Sequence, residues 1–258
     1  MADEDQSLAP PDWPEMVRKV RLRTPARLLA GRAGAGYRTS TQLELRAAHA
    51  AARDAVRAEL NLEHVFPPAL VEQWKLFEVS TQAASKDQYL LRPDLGRRFT
   101  ENSRAELLKR CRPGNRLQIA IGDGLSVTAV AAQVPALLAT LHEEAKTRGW
   151  TVGQTFVIRH CRVGILNEIG ELLTPEVAVL LIGERPGLAT AESLSAYMAY
   201  QPAKTHTDAH RNLISNIHAR GVSPKDAAVR ILNLAALMMK MGASGSRIRE
   251  ELRPAIES

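Results

Sequence analysis

The chain has 258 residues, 45% hydrophobic and 24% charged, a balance that excludes a disordered polypeptide and allows one large domain or two modest ones. Two cysteines, Cys111 and Cys161, are too few for a disulfide framework and lack metal-site spacing, so a reducing cytoplasm is the expected compartment. No apolar run reaches the roughly 18–20 residues of a bilayer span, and the first twelve residues, MADEDQSLAPPD, lack the basic and apolar regions of a secretory signal.

The net charge of +6 is unevenly spread. Between Met16 and Arg57 ten basic residues face only Glu44 and Asp54, a local charge of +8. Such a stretch suits nucleic acid, phosphate or an acidic protein surface. Tyr37 is its single aromatic, so base stacking has no platform, and a solvated or inter-subunit face is expected. Gly31–Gly36 (GRAGAG) has neither the dinucleotide nor the P-loop spacing and reads as a helix-entry loop.

The N-terminal third reads as helical. Thr39 to Leu62 is rich in Ala, Leu, Arg and Glu without Pro or Gly. Pro67 and Pro68 open a short helix through about Phe77, and a third runs from about Pro93 to Cys111, stopped by Pro113-Gly114. Phe77–Ser80 and Gln88–Leu91 read as a small hairpin or as extended connections. After Asn115 the period changes. Leu117–Ile121, Thr155–Arg159 and Val177–Ile182 are strand candidates, and Ser195–Tyr200 is a fourth. They alternate with helices expected at Ser126–Arg148, kinked or restarted at Pro135, and at Ile165–Leu173. Continuous apolar strands between helices predict an α/β fold with a parallel sheet covered on both faces. A last helix opens at Ser223-Pro224 and ends at Gly242, with Ala228, Ile231, Leu232, Ala235, Met238 and Met239 as its apolar stripe.

Three loops follow these strands: Gly122–Ser126, Arg162–Gly164 and Gly183–Leu188. Ligands of open α/β sheets bind outside the carboxyl ends of the strands, so the three together predict a ligand edge. No catalytic set accompanies it. His206 and His210 have only Asp208 near them, no nucleophile elbow is present, and Asp208-Ala209-His210 resembles the D-x-H-x-x-G cobalt-ligating motif but has Leu213 in place of its glycine.

At these same loops the sequence resembles the small (light) subunit of ethanolamine ammonia-lyase. The matching stretches are Gly31–Gly34, Leu91–Arg98 (LRPDLGRR), Asp123–Ser126, Arg162-Val163, Leu181–Leu188 (LIGERPGL), Glu192–Ser195, Ile214–His218 and Ala243–Gly245. The resemblance covers about residues 16 to 245. It implies an acidic flexible N-terminus (1–15), a helical N-terminal domain (16–112) and a Rossmann-like domain (113–258) that helps enclose a corrin. It implies adenosylcobalamin as cofactor and a hetero-oligomer with a catalytic TIM-barrel large subunit, which converts ethanolamine to acetaldehyde and ammonia. The cofactor keeps its own lower ligand, so no metal ligand and no catalytic residue is assigned here. Carried over by motif, the cobalamin contacts are Val163, Glu184 and Leu213. The plain alternative for Glu184 is a salt bridge with a neighbouring arginine. The resemblance further implies no nucleic acid, no membrane, and a bacterial cytoplasm or microcompartment, although the short arm before residue 16 leaves compartment targeting open. A stand-alone Rossmann-like nucleotide-binding transferase or oxidoreductase is the competing reading, and would use Gly122-Asp123-Gly124 for its nucleotide.

Overall fold

Six short strands between Glu78 and Ile217 gather into one sheet in the computed structural model, which describes residues 14–23, 32–187 and 190–248. The N-terminal part holds helix α1 (Glu15–Arg23), a ribbon of β1 (Arg32–Ala33) and β2 (Gly36–Tyr37), and helices α2 (Thr39–Arg57), α3 (Leu62–Val65) and α4 (Pro68–Gln73). Strand β3 (Glu78–Ser80) and helices α5 (Lys86–Leu91) and α6 (Glu101–Arg110) follow. Then β4 (Leu117–Gly122), α7 (Val127–Thr147), β5 (Phe156–Arg159), α8 (Ile165–Leu173) and β6 (Val177–Gly183) alternate. Strands β7 (Leu194–Tyr200) and β8 (Asn212–Ile217) and helix α9 (Pro224–Met241) complete the chain.

The strand order is β3-β5-β4-β6-β7-β8. The first four are parallel, with Ile121 opposite both Val157 and Leu181, and β7 and β8 run antiparallel. Alternate residues feed two cores. Leu117, Ile119, Ile121, Val157, Val177, Val179 and Leu181 point toward α7 and α9. Ala120, Phe156, Ile158, Ala178, Leu180 and Ile182 point toward α6 and α8. Burial on both faces is why these strands read as continuous apolar runs. The loop after β4 enters α7 on one face and the loop after β5 enters α8 on the other. Their divergence opens a crevice at the carboxyl ends.

Local chemistry sets the helix starts. Ser126 Oγ accepts from Ala129 N–H at 3.1 Å to cap α7, and Ser223 Oγ accepts from Asp226 N–H at 3.2 Å to cap α9. Pro135 lies inside α7, which runs through it as one element.

The mixed α/β class is as expected, and the wholly parallel sheet is not. The strand expected at Ser195–Tyr200 pairs antiparallel with β6, because the ten residues between β6 and β7 are fewer than the dozen or more that a parallel crossover requires. Phe77–Ser80 and Gln88–Leu91 form no hairpin. Glu78–Ser80 is the parallel edge of the sheet beside β5, and Lys86–Leu91 is a helix capped by Ser85. The expected Pro93–Cys111 helix divides into a 3-10 turn at Leu95–Arg97 and α6, since Phe99 is extended and donates its N–H to Glu168 at 2.7 Å. The sheet therefore draws a strand from before residue 113. The ribbon turns at Gly34, while Gly31 and most of the acidic stretch 1–15 lie outside the described residues.

Candidate functional site

The three predicted loops meet. A pocket of about 380 Å³ opens at the carboxyl ends of β4, β5 and β6, and Val163, Glu184 and Leu213 all line it. Val163 comes from the β5–α8 loop, Glu184 directly follows β6, and Leu213 lies on β8 opposite Tyr197 of β7, 45% exposed. Leu188 of the third loop lies outside the described residues.

Glu184 is held by its own corner of the sheet. Its Oε1 accepts from the Ser195 hydroxyl at 2.6 Å and from the Asn216 N–H at 2.9 Å. Asn216 adopts φ 61°, a left-handed conformation that Asn tolerates better than most residues, and this turns its N–H toward the carboxylate. Among the described residues Glu184 forms no ion pair, so Ser195 and Asn216 take the place of the arginine partner that was the alternative. Its Oε2 accepts no hydrogen bond from the described residues.

The floor is a buried polar latch. Asp123, fully buried, accepts the N–H groups of His160 at 2.8 Å and Cys161 at 2.7 Å. Lys86, also buried, reaches from α5 to within 3.7 Å of the same carboxylate and donates to Gly124 C=O at 3.1 Å. Burial pushes the Asp123 carboxyl up and the Lys86 ammonium down; the pair's attraction opposes both shifts, and the two N–H donors oppose that of Asp123. Asp123 thus ties the end of β5 to the β4 loop. It is sealed from solvent and is no ligand group. Gly124 has φ 56°, and a Cβ there would lie 2.3 Å from Gly183 C=O, so only glycine lets the β4 and β6 loops approach this closely.

Arg162 forms one wall. Its guanidinium stacks 4.1 Å from the centre of the Tyr89 ring and donates to Tyr89 C=O at 2.9 Å, while its buried Nε lacks a partner. The Tyr89 hydroxyl donates to Cys161 C=O at 3.2 Å. Burial, and then the charge of Asp123, push the Tyr89 phenol and the Cys161 thiol up, so neither ionises near neutral pH. Burial and the nearby Glu184 carboxylate likewise raise the Tyr197 phenol. The site therefore offers a carboxylate acceptor, the Arg162 guanidinium stacked on Tyr89 and apolar surface, with no group poised for acid–base or nucleophilic work. No group of three or more metal-ligating side chains exists among the described residues. His206 and His210 stack on each other at 4.5 Å, and His210 Nδ1 takes part in a capping box with Thr207.

The sequence reading missed Tyr89, Tyr197, Ser195 and Lys86. Ser195 stood in the quoted Glu192–Ser195 stretch, and its strand alternation with Tyr197 could have placed both on the pocket side. Tyr89 was hidden by reading α5 as extended. Nothing in sequence pairs Lys86 with Asp123.

A model of the ethanolamine ammonia-lyase light chain family matches residues 14–249 of this chain. The ethanolamine ammonia-lyase small subunit of Clostridium perfringens is 40% identical over 88% of this chain and 75% of its own length. That of Clostridium acetobutylicum is 38% identical over 91% of this chain and 95% of its own. The Fusobacterium nucleatum small subunit is 40% identical, over 90% and 76%. Similarity of this depth spans the sheet and the loops at its edge, and by it the chain belongs to the ethanolamine ammonia-lyase light-chain family, the small subunits of that lyase.

Proposed function

We propose that this chain supplies one wall of an adenosylcobalamin site whose other wall, with the substrate pocket, belongs to the large subunit of ethanolamine ammonia-lyase. The observation that carries the reading is the convergence of Val163, Glu184 and Leu213 on one open pocket at the sheet edge. The donor set fits the rim of a corrin, which is a broad apolar macrocycle fringed with neutral amides. Glu184 Oε2 accepts from an amide N–H, the Arg162 guanidinium gives a cationic wall, and Val163 and Leu213 give apolar contact. A pocket of about 380 Å³ cannot enclose such a macrocycle, which argues for a site shared with a partner. When bound, the cofactor supplies the radical that starts conversion of ethanolamine to acetaldehyde and ammonia on the large subunit. This chain's residues bind and orient, and they exclude water from the face that they cover.

In this reading the sheet, β3 included, acts with its helices as a Rossmann-like unit, supported by crossovers on opposite faces around β4, and the helices before β3 carry the basic stretch that meets the partner. The bacterial cytoplasm or a microcompartment is the setting, and no helix among the described residues is long and apolar enough to cross a membrane. The test is reconstitution. Acetaldehyde release from ethanolamine should require this chain, the large subunit and adenosylcobalamin together. Turnover by the purified 258-residue chain with cofactor alone would overturn the proposal.

A further inference from the structure

Two features have no role in that reading: the Arg97-Arg98 end of the LRPDLGRR stretch, and the Asp208-Ala209-His210 turn. Both border a second pocket of about 260 Å³, lined by Arg97, Arg98, Gly164, His206, Asp208 and Arg211 among others. It adjoins the first through two short links, Val163 to Gly164 and Leu213 to Arg211.

Its charges do not cancel. Arg98 pairs with Glu171 at 3.4 Å, and Arg211 pairs with Asp208. Arg97 has no ion-pair or side-chain hydrogen-bond partner among the described residues. Its stem is seated against the Gly164 backbone, where a Cβ would fall 2.9 Å from Arg97 Cγ and Cδ. The Arg211 side chain is only 6% exposed. It donates to Asn167 Oδ1 at 2.8 Å, yet its buried Nε has no partner. Burying a guanidinium nitrogen without an acceptor is costly, and the charge of Arg97 in the same lining adds repulsion. The neighbouring groups register this. Burial and then the charge of Arg97 act to lower the Arg211 pKa against the pull of Asp208, and burial, His210, Arg211 and Arg247 hold the His206 pKa down.

We infer that this pocket is a phosphate-class oxyanion site. A tetrahedral anion there accepts charge-assisted bonds from the exposed Arg97 guanidinium, with the His206 ring beside it and the charge of Arg211, whose Nε is sealed from the pocket, behind it. Asp208 already satisfies Arg211 on its other side and orients it, so the one carboxylate in the lining does not cancel the field. The anion has two chemical sources, free phosphate or the phosphodiester that a cobalamin carries in its nucleotide tail. The second source rests on the cobalamin reading, and the first does not.

The test titrates the full chain with inorganic phosphate and follows the His206 ring by NMR. Saturable binding with an upward move of the His206 midpoint is expected. Arg97→Gln should weaken phosphate about tenfold or more. Gly164→Ala should weaken it as well by displacing the Arg97 stem, at a backbone conformation that alanine accepts. Arg92→Gln, an exposed arginine paired with Asp94 outside the pocket, should change nothing. No saturable shift in the wild type, or equal binding by Arg97→Gln, overturns the site, and neither result depends on cobalamin. In the assembled complex, competition between phosphate and cobalamin but not cobinamide, which lacks the phosphodiester, assigns the site to the cofactor tail. Joint binding of phosphate and cobalamin assigns it to free phosphate.

Discussion

Replacement of Glu184 separates scaffold from ligand binding, because its two oxygens do different work. Oε1 holds Ser195 and Asn216, joining the start of β7 to the end of β8, while Oε2 has no hydrogen-bond partner among the described residues and is the acceptor proposed for the ligand. Glu184→Ala loses both. A hydrogen bond to a charged group contributes about 1.5–3 kcal/mol, so loss of the Oε2 acceptor should weaken cobalamin about 10- to 150-fold in the assembled enzyme. On sequence alone Gln is the mild replacement, since its amide oxygen still accepts. With Oε1 already engaged, Glu184→Gln keeps the Ser195 and Asn216 bonds but turns an NH2 toward the corrin amides. Glu184→Gln should therefore keep near-native thermal stability while cobalamin affinity falls about as far as in Glu184→Ala. The assay is equilibrium titration of cobalamin into the complex by visible absorbance, with the KM for ethanolamine at saturating cofactor as control. Wild-type cobalamin affinity in an assembled Glu184→Ala enzyme would refute the reasoning.

Three further outcomes follow from the same geometry. Gly124→Ala must place a Cβ 2.3 Å from Gly183 C=O at φ 56°, and should cost about 3 kcal/mol, a fall of roughly 6–12 °C in Tm by calorimetry; a native Tm would contradict the close approach of the two loops. His142 stacks 4.1 Å from Trp74, and burial lowers its pKa from 6.5 to about 4. The unfolded chain therefore binds more protons between these values, and stability should fall by about 2 kcal/mol as pH drops from 6.5 to 4, allowing for partial exposure; His142→Phe should remove that slope in denaturant titrations. Charge reversal at Arg21 and Arg23, on a helix with no buried residues, should weaken assembly with the large subunit by size-exclusion chromatography. An unchanged profile, with RNA retained by the wild type at physiological salt, would favour a nucleic-acid role for the basic stretch; Arg27, a third candidate, lies outside the described residues.

What was legible in the sequence was what burial imposes on composition. Val177–Ile182 reads as a strand because both of its faces are covered, and Ser223-Pro224 reads as a helix start because capping is local chemistry. Edge strands escape this logic. Glu78-Val79-Ser80 buries only Val79, and Asn212–Ile217 buries only Ile214 and Ile217, so neither has an apolar run to betray it. The direction of β7 is set by the short connection of ten residues after β6 rather than by its own residues. The site loops were visible through Gly and charge, and Glu184 through its place after the most apolar strand. The partners that give each group its role were not. Lys86 meets Asp123 across 37 positions, and Arg97 meets Gly164 across 67, distances over which only the fold connects residues.

This chain is proposed to form one wall of a shared cobalamin site. The most direct test is equilibrium cobalamin binding to the isolated 258-residue chain, to the isolated large subunit and to their complex under the same conditions. The complex should bind at least about tenfold more tightly than either subunit alone, and Glu184→Ala should remove most of that gain. A large subunit that binds cobalamin alone as tightly as the complex would contradict the shared site.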